Sequence, residues 1–255
     1  MKVLVLGSEG VVGKSLVKWL KINGHDVESF DIKLNDSQDL TKNIYTWDVD
    51  FIFFMAYDVG GSKYIANTAN DFIDNNLKLM MNTFKSIENS NVPFIFASSQ
   101  MQNMYNPYGT LKRIGEHYTN NLNGISVRFW NIYGPEEINN KSHVIPDFIH
   151  QFKTSNKIKI LTDGTEERQF LYTDDCAKCL ISMMNNFEKI DKKSVDISSF
   201  EWVSIYNLAK MISPNIEISD VKSDLQSKNE PDTYILKFWK PETSLTEGLR
   251  ILNEC

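Results

Sequence analysis

Through the first half of the chain, short apolar runs alternate with longer segments whose apolar positions recur every three or four residues. The runs fall at Val3–Leu6, Val27–Phe30, Phe51–Ala56, Phe94–Ala97 and Ser126–Phe129. Runs this short, with little polar alternation, suit strands buried on both faces of a parallel sheet. Between them the spacing predicts helices over Val12–Ile22, Asp71–Ser90 and Tyr108–Asn121. Strand–helix alternation implies an α/β protein with a doubly wound parallel sheet. After Gly134-Pro135 the pattern loosens. Helices are expected near Pro146–Lys153, Thr173–Asn186, Ser204–Ile212 and Ser244–Leu252, and strands at Ile158–Leu161 and Val195–Ile197. The polar segment Ser213–Pro241 carries no clear assignment. The expected division is residues 1–134 as the sheet domain and 135–255 as a smaller lobe over the carboxyl edge of the sheet, with some of its elements free to return to the first domain.

Composition narrows the class. With 255 residues, 42% apolar and 24% charged, the chain has enough apolar side chains for a sizeable core and too many for a disordered protein. A net charge of -6 supplies no field for nucleic acid or an anionic membrane, so neither is expected as a partner. No apolar run approaches the roughly 18 residues of a membrane span. The opening Met1–Leu6 is too short for a signal-peptide core and reads as a first strand. Three cysteines, Cys176, Cys179 and Cys255, make no disulfide framework, which points to a reducing cytoplasm. Cys176 and Cys179 form C-x-x-C, but the sequence offers no second pair with zinc-ligand spacing, and no metal is expected. A redox pair is one reading; two cysteines on a buried helix face is the favoured one.

The first candidate chemistry is Gly7-Ser8-Glu9-Gly10-Val11-Val12-Gly13, directly after the first strand and opening the first helix. Gly7 suits a tight turn, Gly10 a close approach of backbone to a pyrophosphate, and Gly13 close packing of helix on sheet. The helix amino terminus adds free N–H groups and the positive end of its dipole. Asp31 closes the second strand, where a carboxylate accepts the ribose hydroxyls of NAD and repels a 2′-phosphate. Lys33, close by, keeps NADP open. Together these features make the sheet a Rossmann-type dinucleotide-binding fold.

The second is Phe94-Ile95-Phe96-Ala97-Ser98-Ser99-Gln100, followed by Tyr108-Gly109-Thr110-Leu111-Lys112. A strand delivers a serine to the carboxyl edge, and a helix carries Tyr108 and Lys112 one turn apart on one face. Alcohol–carbonyl redox chemistry needs a base that takes the hydroxyl proton. Moving a phenol from pH 10 to near 7 takes about 4 kcal/mol. An ammonium at about 4 Å supplies roughly that much at an effective dielectric of about 20. Ser99 can hydrogen-bond the reacting oxygen. Taken alone, a Tyr and a Lys on a helix would be ordinary surface residues; the glycine loop and the strand-end serine change that reading.

At this point the chain resembles the extended short-chain dehydrogenase/reductases, in particular their NAD-dependent sugar-nucleotide epimerase/dehydratase group. The resemblance runs nearly end to end. It includes the glycine loop, Asp31, Met55-Ala56 at the position of the group's Leu-Ala-Ala, Asn76, Ser99, Tyr108 and Lys112. It continues through Arg128–Pro135, Asp163–Phe170, Thr173-Asp174-Asp175 and Leu245–Leu249. It implies that NAD is held by Gly7, Gly10, Val11, Val12, Gly13, Asp31, Ile32, Asp39, Leu40, Met55, Ala56, Tyr108 and Lys112. It also implies a nucleotide-sugar substrate held by Ser99, Gln100, Asn131 and Arg168, in the smaller C-terminal lobe and at the sheet edge. Arginine suits a diphosphate because its planar fork binds two oxygens; the plainer alternative is a surface salt bridge from Arg168 to Glu166, Glu167 or Asp174.

Tyr57-Asp58-Val59-Gly60-Gly61 and Asn131–Pro135 look most like the GDP-mannose 3,5-epimerase branch. That branch places an acid/base cysteine where this chain has Met101, whose thioether carries no proton, and a lysine for which Lys141 or His143 is the nearest candidate. The 4,6-dehydratase pattern of Asp-Glu after the serine is replaced by Gln100-Met101-Gln102. What remains is oxidation and epimerisation at one carbinol carbon, C4. The alternatives are 4-dehydrogenation or 4-keto reduction, and, from another class, a non-catalytic NAD-binding sensor. The short stretch between Ser99 and Tyr108 is expected to open the site. The resemblance also implies a homodimer through the helices near 71–90 and 108–121, with Leu77, Met80, Met81, Phe84 and Ile114 as its apolar face.

Overall fold

The computed structural model describes residues 1–61, 64–65, 70–223 and 229–254. The chain runs through β1 (Lys2–Leu6), α1 (Val11–Ile22), β2 (Asp26–Phe30), β3 (Phe51–Phe54), α2 (Asn70–Ser90), β4 (Phe94–Ser99), α3 (Pro107–Asn121) and β5 (Gly124–Phe129). It continues through β6 (Asn131–Tyr133), α4 (Val144–Ser155), β7 (Ile158–Ile160), β8 (Glu167–Arg168), β9 (Phe170–Tyr172) and α5 (Thr173–Asn185). The last elements are β10 (Ser194–Ile197), β11 (Val203–Ser204), α6 (Ile205–Ile212), β12 (Ile216–Ile218) and α7 (Leu245–Glu254).

Six strands form one sheet in the order β10-β5-β4-β3-β1-β2, every neighbouring pair parallel. Parallel strands place all their carboxyl ends along one edge. The order reverses at β1, which has β2 on one side and β3 on the other, and this reversal opens a crevice at that edge. The inner strands β1, β3 and β4 are largely apolar because both of their faces are covered. Val3, Val5, Phe51 and Phe53 pack with Leu16 and Leu20 of α1 and Leu180 of α5. The alternate positions Leu4, Leu6, Ile52 and Phe54 pack with Met80 and Phe84 of α2 and Leu111 of α3. A third apolar cluster, from Tyr133 and Phe148 to Leu208 and Leu249, joins the later elements.

Residues 173–197 return to the sheet half. β10 pairs with β5, and α5 lies along α1, tied there by the Ser15 hydroxyl donating to Asp174 and by Lys18 on the same carboxylate at 2.8 Å. Cys176 and Cys179 are fully buried in that helix and belong to the core, where burial raises both thiols. Cys255 lies outside the described residues. Three two-stranded pairings, β6 with β9, β8 with β11 and β7 with β12, organise the remaining lobe. Within the segment left unassigned, β12 pairs with β7 and a short 3-10 turn spans Thr233–Lys237.

Two expectations change. The strand from Phe51 ends at Phe54, because the turn at Gly7 crosses just beyond it: a Cβ on Gly7 would sit 2.5 Å from the Ala56 nitrogen. The proposed apolar face on α2 and α3 is mostly core. Met80 and Phe84 are buried, Phe84 filling space beside the rings of Phe54 and Phe96, and Leu77 and Ile114 pack against the same cluster. Only Met81 of the five is well exposed, at 58%. Among the described residues no helix is long and apolar enough to cross a membrane.

One buried network sets the register of α3 on the sheet. Glu116 accepts from Ser98 at 2.7 Å and from Arg128 through both Nε and Nη2, at 2.8 and 2.7 Å. Replacing Glu116 by Leu is expected to cost about 2 kcal/mol in urea unfolding, because it removes the acceptor of the buried Ser98 hydroxyl and the bidentate partner of the half-buried Arg128. A loss below about 1 kcal/mol would show a pair no stronger than a solvated one.

Candidate active site

The glycine loop is built by clearance. Gly7 has φ +84°, a conformation that side chains resist, and Gly13 lies so close to the turn that a Cβ would stand 2.1 Å from the Gly7 carbonyl oxygen. Gly10 caps α1 with extended backbone and no side-chain hydrogen bond. The first helical bond closes from Lys14 N–H to the Gly10 carbonyl, so the N–H groups of Val11, Val12 and Gly13 have no helical acceptor. They face the sheet edge from the positive end of a helix dipole, with no acid in the first turn.

Asp31 stands at the end of β2 and stitches it to this loop. Its Oδ2 accepts from Glu9 N–H at 3.0 Å and its Oδ1 from Lys33 N–H at 2.9 Å. Each oxygen keeps a lone pair for a hydroxyl. Ile32 and Lys33 are exposed beside it. Met55 and Ala56 flank the Gly7 turn, Met55 donating to the Leu6 carbonyl at 2.9 Å. Asp39 and Leu40 are placed differently. Both are buried; the Asp39 carboxylate accepts from the Thr41 N–H and hydroxyl at 2.9 and 2.6 Å and pairs with Lys42 at 2.8 Å, while Leu40 belongs to the core.

The catalytic candidates converge. Ser99 ends β4 and its Oγ accepts from Met101 N–H at 3.1 Å, which leaves its proton free to donate. Asn106 caps α3 by accepting from Gly109 N–H at 2.7 Å, and Pro107 starts the helix. Tyr108 therefore lies in the first turn and Lys112 one turn on. The Lys112 ammonium donates to the Ala97 carbonyl at 2.7 Å, lies 3.4 Å from the centroid of the Tyr57 ring and 5.7 Å from that of Tyr108. Tyr57 meets Tyr108 edge to face at 6.0 Å.

Ser99, Tyr108 and Lys112, beside the short stretch after Ser99, are 5%, 9% and 3% exposed. That stretch folds back as a 3-10 turn, Gln100–Asn103, whose Met101 carbonyl packs so tightly on α3 that only glycine fits at position 109. One expectation is corrected here: in the chain alone the phenol is raised rather than lowered. Burial raises the Tyr108 phenol, with the Ser99 hydroxyl pulling the other way, and desolvation brings the Lys112 ammonium down to about 7.

On the far side, β6 lies beside β9, so Asn131 and Arg168 occupy neighbouring stretches of backbone. Arg168 donates to the Glu167 carbonyl at 2.7 Å. Two of its candidate partners are held elsewhere, Asp174 by Ser15 and Lys18 and Glu166 by the Thr162 hydroxyl. Gln100 is half-buried at the start of the 3-10 turn. Lys141 bonds Asp58 at 2.5 Å, Asp58 also accepts from the Tyr64 hydroxyl, and His143 pairs with Glu136 at 2.9 Å. This clamp joins the loop after β3 to the loop before α4. Sequence reasoning singled out these residues without the pairing, which spans 83 positions.

Residues 3–198 match the NAD dependent epimerase/dehydratase family. The chain belongs to this family. GDP-mannose 3,5-epimerase of Arabidopsis thaliana is 24% identical over 311 aligned positions, covering 98% of this chain and 81% of the relative. A putative UDP-glucose 4-epimerase of Methanocaldococcus jannaschii is 25% identical over 303, covering 98% and 97%. Both alignments exceed the 255 residues of this chain, so these relatives carry segments it lacks. Among solved structures, an epimerase from Methanothermobacter thermautotrophicus superposes with a TM-score of 0.85 at 20% identity, covering 99% of this chain and 91% of that one, and shares the Rossmann-type fold. The family's members are NAD-dependent enzymes of sugar-nucleotide chemistry, and NAD is the cofactor of this one. Its residues fit that group: the N–H groups of Val11, Val12 and Gly13 would hold the pyrophosphate, and Asp31 the adenosine ribose.

The low Lys112 pKa has a consequence for stability. The folded chain binds this proton near pH 7 and the unfolded chain near 10.5, so the penalty for burying the ammonium is full below 7 and fades between 7 and 10.5. Lys112→Met is therefore expected to stabilise the protein against urea by several kcal/mol at pH 6, at about 1.4 kcal/mol per unit of pKa difference, and by less at pH 9.5. An equal gain at both values would show that the ammonium is not desolvated.

Proposed function

We propose that the chain oxidises and epimerises a nucleotide-activated sugar at a single carbinol carbon, C4. The observation that carries this is the meeting of Ser99, Tyr108 and Lys112 at the carboxyl edge of the sheet, beside the crevice at β1. Bound NAD supplies the hydride acceptor. Tyr108 takes the proton from the sugar hydroxyl, and Ser99 donates a hydrogen bond to the same oxygen. Lys112 stabilises the phenolate once the site is filled. Asn131 and Arg168 hold the diphosphate. An intact set of these side chains favours catalysis over the sensor alternative.

Met101 supports one reacting carbon. An epimerisation at two carbons needs acid/base groups on either side of the ring, and a thioether supplies none. Lys141 and His143, the nearest candidates for a second group, are tied to Asp58 and Glu136. Return of the hydride to the opposite face gives the epimer; release of the keto sugar would make the enzyme a 4-dehydrogenase or, in reverse, a 4-keto reductase. The fully buried thiols fit a cytoplasmic home. A homodimer would use the narrower surface around Met81 and Tyr118, which α2 and α3 leave exposed.

A screen of GDP-, UDP-, dTDP- and CDP-sugars with NAD, read by proton NMR, tests the reading. One sugar is expected to convert to its 4-epimer, and Tyr108→Phe to slow that conversion by about 10³-fold while NAD still binds. Full turnover by Tyr108→Phe, or a product altered at any carbon other than C4, contradicts it.

A further inference from the structure

Tyr57 has no part in the chemistry above, yet its ring covers the buried Lys112 ammonium. The Lys112 ammonium lies 3.4 Å from the ring centroid, about as close as a cation approaches an aromatic face. The same ring stands edge-on to Tyr108 at 6.0 Å and to Phe72 at 6.5 Å, so its own plane is fixed from two sides. Its hydroxyl is buried with no hydrogen-bond partner among the described residues. The ring, then, is what this residue contributes.

Lys112 has few other sources of compensation. One proton goes to the Ala97 carbonyl, and the Phe96 ring lies farther off, at 5.3 Å. The charged and titratable groups around it are committed elsewhere. Glu116, one turn along α3, is held by Ser98 and Arg128; Asp58, beside Tyr57, is held by Lys141 and Tyr64; Tyr108 is a neutral phenol raised by burial. Among the described residues no carboxylate pairs with Lys112. A buried ammonium without a counter-ion sheds its proton. The face of an aromatic ring opposes that loss because its quadrupole favours the cation and leaves the neutral amine indifferent.

We infer that Tyr57 is a positioning residue for Lys112: its ring face holds the side chain as an ammonium, between the Ala97 carbonyl and Tyr108, where the proposed reaction needs a positive charge. The inference rests on the reading of Lys112 as the partner of a catalytic phenol. Its physical part stands apart from any substrate. A Tyr57 ring in place also keeps Lys112 beside β4, since carbonyl and ring both contact the one nitrogen.

The test is NMR of the full chain carrying 13C-labelled lysine, with neither NAD nor sugar added, and Lys112 assigned through Lys112→Met. In the parent, the Lys112 ε-methylene is expected to resonate upfield of the other lysines, because it sits over a ring face. Tyr57→Phe keeps that displacement and the titration midpoint. Tyr57→Leu abolishes the displacement and lowers the midpoint by about one pH unit. A parent Lys112 signal at the position of exposed lysines overturns the inference, and so does a folded Tyr57→Leu chain with an unchanged midpoint. Should Tyr57→Leu fail to fold, the parent displacement and its retention in Tyr57→Phe decide the matter. Because no sugar takes part, a failed substrate screen leaves this result standing, and a failed titration leaves the sugar chemistry to be judged by its own product.

Discussion

An ammonium inside a protein must be compensated from within the chain, and Lys112 is that group here. Everything close to it can be read as a response to its charge. β4 offers a carbonyl, the loop after β3 offers an aromatic face, and α3 offers a phenol whose ionised form would complete an ion pair. In the chain alone that last partner is neutral: desolvation brings the lysine down to about 7 and raises the phenol. The same burial disfavours the charged form of both groups. A site in this condition responds strongly to whatever enters it, because a new charge or hydrogen bond acts in a poorly screened environment.

The fold supplies this environment through a small number of constraints. Parallel strands bring Gly7, Asp31, Met55 and Ser99 to one edge. Gly7 and Gly13 let α1 start almost on the turn that precedes it, which aims unpaired N–H groups at the same crevice. Glu116 pins α3 to β4 and β5, so Tyr108 and Lys112 keep their depth. The clamp of Asp58 and Lys141 then fastens the loop carrying Tyr57 to the later half of the chain. These contacts join separate elements, and the last spans 83 positions, which makes the site depend on the whole sheet half being folded.

What was legible in the sequence follows from that contrast. The strands β1, β3 and β4 stand out because burial on both faces removes polar residues from them. The glycine loop, the strand-end serine and the Tyr–Lys pair one turn apart are short-range patterns, and the structure brings them together. β10 returning to pair with β5 could not be placed from local pattern, since its neighbour lies some seventy positions away. The Asp39 carboxylate is satisfied by Thr41 and Lys42, a pairing that no strand or helix period announces. Tyr57 stands in the sequence only as the first residue of the Tyr57–Gly61 motif, and its contact with Lys112, 55 positions on, has no local signature. The acid at Glu116 was a usable signal: four residues after Lys112, it shares the buried face of α3.

The central claim is that the Lys112 ammonium and the Tyr108 phenolate stabilise each other once NAD is bound. The most direct measurement is an ultraviolet titration of the Tyr108 phenolate in the NAD complex, isolated as the difference from Tyr108→Phe and repeated on a Lys112→Met background. A lower midpoint with Lys112 than with methionine is the predicted result. Equal midpoints on the two backgrounds would contradict it.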